Sequence, residues 1–256
     1  MEAITMILDM FSLSDRVAVV TGSDTGLGQG IAKAFVEAGA KVLGVSRSAS
    51  TATQEMLGEE NFSYITADLS TLDPVETIIN TAVERYGHLD ILVNNAGIIK
   101  REDSIDFSVE NWDLVLNVNL RTLFFLSQSA ARQFLKQNSG GKIISVASML
   151  SYQGGIRVPS YTASKSAVKG LTMTLANEWA KHGINVNAIA PGYMATNNTQ
   201  ALRADADRSA AILERIPAGR WGTPDDLMGA AVFLASSASD YVNGFTLAVD
   251  GGWLAR

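Results

Sequence analysis

Seven short runs rich in β-branched residues, each parted from the next by a stretch long enough for a crossover helix, constrain this chain more than any other feature. They are Val17–Val20, Lys41–Ser46, Phe62–Ala67, Leu89–Asn94, Lys142–Ala147, Asn185–Ala190 and Phe245–Val249. Runs this apolar read as strands buried on both faces, and strands joined through helices lie parallel. Right-handed crossovers then cover both sides of the sheet. The expected fold class is α/β: a doubly wound, seven-stranded parallel sheet in a three-layer αβα sandwich, with residues 1–256 as a single domain. Ligands belong at the carboxyl ends of its strands.

The first run leads into Thr21-Gly22-Ser23-Asp24-Thr25-Gly26-Leu27-Gly28, and a helical pattern follows over Leu27–Ala38. Glycines at a strand-to-helix turn let backbone amides close on a pyrophosphate held at the helix N-terminus. Gly22, Asp24, Thr25, Gly26, Leu27 and Gly28 are therefore cofactor-binding candidates, and the architecture is expected to be of Rossmann type. The Gly-x-x-x-Gly-x-Gly spacing is one residue longer than the usual fingerprint. Further along, Gly39 ends the first helix, Asp73-Pro74 opens another, and Gly183 closes the one that carries Tyr161. The stretch from Gly192 to about Pro217 is the least regular, and its place after the sixth strand suggests a mobile lid over the crevice, with an exposed helical excursion as the alternative.

Composition removes several classes of function. Twenty Lys+Arg against 26 Asp+Glu leave a net charge of −6, the wrong sign for nucleic acid. The absence of cysteine excludes disulfides and thiolate chemistry, and with only two histidines no metal site is expected. No window approaches the ~20 apolar residues of a membrane span. The N-terminus lacks the basic flank of a secretory signal, so a cytoplasmic location is expected, with Met6 as an alternative start.

A second constellation is Ser148, Tyr161 and Lys165. The last two lie four apart at the start of a helical pattern and so share a face. An ammonium about 5 Å from a phenol at an effective dielectric of ~20 favours the phenolate by roughly 3 kcal/mol, about two pKa units, which would let Tyr161 exchange a proton near neutrality. Ser148, at the end of a strand, is placed to hydrogen-bond a substrate oxygen.

Thr21–Gly28, Asn94-Asn95-Ala96-Gly97, Ser148, Tyr161-Thr162-Ala163-Ser164-Lys165 and Pro191-Gly192 together resemble the ordered motifs of the short-chain dehydrogenases/reductases, across essentially the whole chain. The resemblance implies that Tyr161 is the general acid/base, that Ser148 orients the reacting oxygen, and that Lys165 tunes Tyr161 and holds the nicotinamide ribose. It implies that Asn119 holds a water in a proton relay; a helix-interior amide satisfying a backbone kink is the other reading. Asp68 and Leu69 match the adenine pocket, Asn95, Ala96 and Gly97 the adenosine ribose, and Thr196, just beyond Pro191 and Gly192, the carboxamide contact. The inferred reaction is hydride transfer between nicotinamide and a carbon bearing oxygen.

Within that family the runs Ser145–Tyr161, Ala190–Thr199, Ile216–Gly222 and Val249–Arg256 are similar to enzymes acting on six-carbon keto-deoxy sugar acids. These usually take NAD(H) and assemble as homotetramers. Ser46-Arg47 at the end of the second strand departs from their pattern: the acid that grips a 2′-hydroxyl is missing, so NADP(H) is also admitted, although Asp24 stands where phosphate-preferring relatives often carry a base. A sugar acid needs its carboxylate neutralised, which makes Arg157 and Arg101 candidates, with Met149, Gln153, Asn197 and Asn198 as further substrate contacts. Trp253 and Arg256 are expected to dock on a neighbouring subunit or to rim its pocket. The rival readings are a gluconate 5-dehydrogenase, a 3-oxoacyl carrier-protein reductase and, from another class, a non-catalytic dinucleotide-binding regulator.

Overall fold

In the computed structural model, which describes residues 6–256, the strand runs pair edge to edge as one parallel sheet; the residues ahead of Met6 lie outside it, and with them the question of the start. The strands are β1 (Val17–Thr21), β2 (Lys41–Ser46), β3 (Phe62–Thr66), β4 (Ile91–Asn94), β5 (Gly141–Val146), β6 (Ile184–Pro191) and β7 (Thr246–Val249), in the order β3-β2-β1-β4-β5-β6-β7. Every pair is parallel. The helices are α1 (Gly26–Glu37), α2 (Thr51–Leu57), α3 (Val75–Tyr86), α4 (Val109–Leu116), α5 (Leu123–Gln137), α6 (Pro159–Trp179), α7 (Gln200–Ala204), α8 (Ala206–Arg215) and α9 (Asp225–Ala235).

Two cores explain why β1 is buried along its whole length. Ala18 and Val20 face one way, against Ile31 and Phe35 of α1 and Leu227 and Leu234 of α9. Val19 faces the other, against Ile78 of α3, Leu126 and Phe134 of α5 and Leu175 of α6. The period-2 alternation thus splits one apolar run between two layers.

The strands stand where the sequence put them, with ends moved by up to two residues. Leu89 falls outside β4 because a side chain takes over there: its N–H donates to Gln137 Oε1 (3.0 Å) and its carbonyl accepts from Gln137 Nε2 (2.8 Å), while the Asp90 carboxylate accepts from Val17 N–H (2.8 Å) and pairs with Arg16 (2.9 Å). Gly39 (φ 105°) and Gly183 (φ 72°) occupy left-handed positions at the helix ends assigned to them. The segment after β6 is more ordered than its sequence suggested. A 3-10 turn at Asn197–Thr199 leads into α7 and α8, and α8 buries Ile212 against Met149, Ile216 and Trp253. The chain reverses across the sheet between β1 and β4, and this switch point opens a crevice at the carboxyl edge.

Candidate active site

The crevice is built on β1 and its turn. Gly22 and Gly26 stand at φ 69° and 60°, and a Cβ on Gly28 would lie 2.0 Å from the Gly22 carbonyl oxygen. No side chain fits there, so the loop folds flat against the start of α1. Thr25 makes no side-chain cap and the first turn of α1 holds no acid, which leaves its amides facing the cleft for an anion. Thr21 and Asn95 brace the loop from behind. Thr21 Oγ1 accepts from the amides of Asn95 (3.0 Å) and Ala96 (2.9 Å), and Asn95 Nδ2 donates to the Thr21 and Gly22 carbonyls (2.8 and 3.2 Å). A glycine cradle closed to side chains and lined with free amides fits a dinucleotide pyrophosphate.

Gly22, Asp24, Thr25, Gly26, Leu27, Asn95, Ala96, Gly97, Tyr161, Lys165, Thr196, Asn197 and Asn198 line this one cleft, with Val146 at its floor. Lys165 is buried, and its ammonium donates to the Val146 carbonyl (2.6 Å) and lies 5.7 Å from the centre of the Tyr161 ring. Burial brings the Lys165 ammonium down to about 8. Burial likewise pushes the Tyr161 phenol up, while hydrogen bonding to Ser148 and the charge of Arg101 pull it back. The lowered phenol drawn from two charges in a uniform medium is thus corrected: in a low-dielectric cleft, desolvation outweighs the attraction. Ser148, at the end of β5, is buried, and its Oγ accepts from Leu150 N–H (3.1 Å), leaving its own proton free. Asn119 is fully buried in a π-helical turn, Asn117–Thr122, between α4 and α5. Its amide clamps both main-chain groups of Ile98 (2.9 Å each) and donates to Ser164 Oγ (3.2 Å), so it ties the loop after β4 to α6.

Other candidates stand apart from the cleft. Ser46 is buried and its Oγ accepts from the Asp24 amide (3.2 Å), so it braces the glycine loop from behind. Arg47 is exposed next to it. Asp68 is exposed, its carboxyl held below the usual range by Ser70, with a smaller contribution from the charge of Arg47. Leu69 lines a separate small hollow with Thr21 and Ala96. Pro191 ends β6, and Gly192 sits so close to Asp250 that a Cβ would lie 2.6 Å from its Cα. Arg157 is drawn away from the cleft by an ion pair with Asp103 (2.8 Å). Met149 is core, and Gln153 Oε1 accepts from Trp253 Nε1 (3.2 Å) and Arg215 (3.4 Å). Arg101 does reach the segment after β6, donating to the Asn198 carbonyl (3.3 Å). The tail docks on its own chain: Trp253 is 3% exposed, and Arg256 donates to the carbonyls of Glu214 and Arg215. Thr21 and Val146 were missed by sequence reading. The signal for Thr21 was available, since it opens the glycine loop as its only hydroxyl at a strand end.

A family model described as Enoyl-(Acyl carrier protein) reductase matches residues 21–254. The 2-dehydro-3-deoxy-D-gluconate 5-dehydrogenase of Escherichia coli (strain K12) is 63% identical over 253 residues, 98% of this chain and 100% of that one. The enzyme of the same name from Dickeya dadantii (strain 3937) is 64% identical over 253 residues, with the same coverage. A protein from Agrobacterium tumefaciens crystallised with bound NADP superposes with a TM-score of 0.89 at 55% identity, over 97% of this chain and 100% of its own. The glycine cradle, the Ser148–Tyr161–Lys165 trio and these likenesses agree, and the chain belongs to the short-chain dehydrogenase/reductase family.

Proposed function

We propose that this protein transfers hydride between a nicotinamide dinucleotide and a six-carbon keto-deoxy sugar acid, interconverting 3-deoxy-D-glycero-2,5-hexodiulosonate and 2-dehydro-3-deoxy-D-gluconate. The observation that carries the reading is the convergence of Tyr161 and Lys165 with the glycine cradle in one cleft. The full-length likeness to the two named sugar-acid dehydrogenases supports the substrate. When bound, the nicotinamide supplies or accepts the hydride. Tyr161 gives its proton to the oxygen of the reduced carbon, or takes it in oxidation. Ser148, whose Oγ already accepts from Leu150, turns its hydroxyl proton to the same oxygen. Lys165 uses one ammonium hydrogen on Val146 and has two left for the ribose. Asn119 spends both amide hydrogens on Ile98 and Ser164, so the relay water rests on an oxygen, either its Oδ1 or a carbonyl loosened by the π turn. Purified enzyme with NADH or NADPH should reduce the hexodiulosonate at least about 100-fold more efficiently than an acetoacetyl thioester, and Tyr161→Phe should lose about 10³-fold in kcat. Preference for 5-ketogluconate or the thioester would reassign the substrate, and undiminished Tyr161→Phe turnover would end the mechanism.

For the cofactor, the reading is that both dinucleotides enter and Arg47 favours NADP(H). No acid ends β2, and Arg47 is exposed there with its guanidinium in no ion pair among the described residues. The segment 192–217 serves as the lid, since Asn197 and Asn198 line the cleft while α8 anchors the far end. The homotetramer draws support from apolar side chains left along α5 and α6, including Phe124, Phe125 and Leu171.

A further inference from the structure

Arg157 stands in the left-handed region at φ 64°, a conformation that a residue other than glycine keeps only where its surroundings impose it. Here they do so twice. Its Nε pairs with Asp103 Oδ1 at 2.8 Å, and its carbonyl accepts the Glu102 N–H at 3.1 Å. The two side chains are 57% and 69% exposed, and an ion pair so open to water adds little to stability. Its effect must lie in what it places.

What it places is the segment Arg101-Glu102-Asp103. Glu102 is committed to the start of α4, where its carboxylate accepts from Ser108 N–H (2.8 Å) and from Asn111 Nδ2. Asp103 is committed to Arg157. Both carboxylates next to Arg101 are therefore engaged elsewhere, and among the described residues Arg101 is in no ion pair. Its guanidinium instead spans the cleft mouth to the Asn198 carbonyl at 3.3 Å, a single long bond that leaves most of its donors open.

We propose that Arg157 is a positioning residue that holds Asp103 off Arg101, so that Arg101 stays a free cation for the substrate carboxylate and a strut for the lid at Asn198. The substrate part rests on the reading given under Proposed function. In Arg157→Ala, the released Asp103 is expected to turn onto Arg101, with carboxylate and guanidinium within about 4 Å in a crystal structure of the variant. KM for the hexodiulosonate should rise about tenfold while kcat stays within about twofold. Adding Asp103→Asn removes the competitor, and the double variant should return KM to within about twofold of the parent. Arg157→Gly relieves the backbone strain but also frees Asp103; it should show the raised KM with no loss of thermal stability, which separates the effect from misfolding. A double variant as impaired as Arg157→Ala overturns the proposal, as does an Asp103 that remains clear of Arg101 in the crystal. The crystal readout needs no turnover, so failure of the sugar acid as substrate would strike the functional reading alone.

Discussion

Tyr161 and Lys165 show how far two residues can be understood without their surroundings. Their spacing, shared face and place at the start of a helix were all legible, because helical geometry is local. Their ionisation was not, because it depends on how much water the rest of the fold removes. In the folded protein the phenol is raised and the ammonium lowered to about 8, burial being the leading cause for both. For Lys165 the sign is definite. Between pH 8 and 10.5 the unfolded chain still holds a proton that the folded one has released, so the lysine's contribution to stability improves as pH climbs through that window, and below it the fold bears the cost of a buried charge. Lys165→Met should therefore raise stability to urea at pH 7 by on the order of 2 kcal/mol, being about 3 for the ammonium less about 1 for the orphaned Val146 carbonyl. Turnover should fall at least about 100-fold. The stabilisation should fade towards pH 10.5; equal differences at pH 7 and pH 10 would show that burial of the charge is not the cause.

At the scale of elements, strands and glycine turns were read well and the helices of the segment after β6 were not. Gly192–Pro217 is rich in charge, Asn and Ala, and its large apolar residues are too few to mark out two short helices by periodicity. What orders α8 is a distant partner: Trp253, edge-on to Tyr193 (4.8 Å between ring centres) and covered by the Arg215 guanidinium (4.1 Å). The C-terminal tail thus acts as the footing of α8 within its own chain. Trp253→Ala should destabilise the protein by about 3 kcal/mol in urea unfolding, the cost of emptying a buried aromatic site. Limited proteolysis should then cut first between residues 197 and 215, and a cleavage pattern unchanged from the parent would deny the tail that role. The π turn at Asn117–Thr122 was equally hidden, since one extra residue in a helical run leaves the apolar pattern nearly intact.

For the whole molecule, one parallel sheet with cores on both faces means that the site and the fold are the same object. The cradle is the end of β1, an interior strand of the sheet, and Tyr161 and Lys165 ride on the longest helix described. Cofactor binding should consequently stabilise the entire chain. At a hundred times its Kd, NADPH should contribute about 2.7 kcal/mol, or about 6 °C in Tm for a chain of this size. Arg47→Ala should reduce the shift given by NADPH and leave that given by NADH in place. Equal losses for both would assign Arg47 to the fold rather than to the 2′-phosphate.

Strand number, parallel order, the glycine cradle and the shared face of Tyr161 and Lys165 follow from periodicity and spacing along the chain, because those relations are set by backbone geometry over a few residues. Which arginine stays free, what Ser46 bonds to, where the tail comes to rest and how far two ionisable groups are shifted follow from contacts between residues up to a hundred positions apart. Such contacts are choices among partners: Asp103 pairs with Arg157 rather than Arg101, and Ser46 Oγ receives the Asp24 amide. The outcome of those choices depends on three-dimensional distance and on excluded water, neither of which is written in the order of the residues.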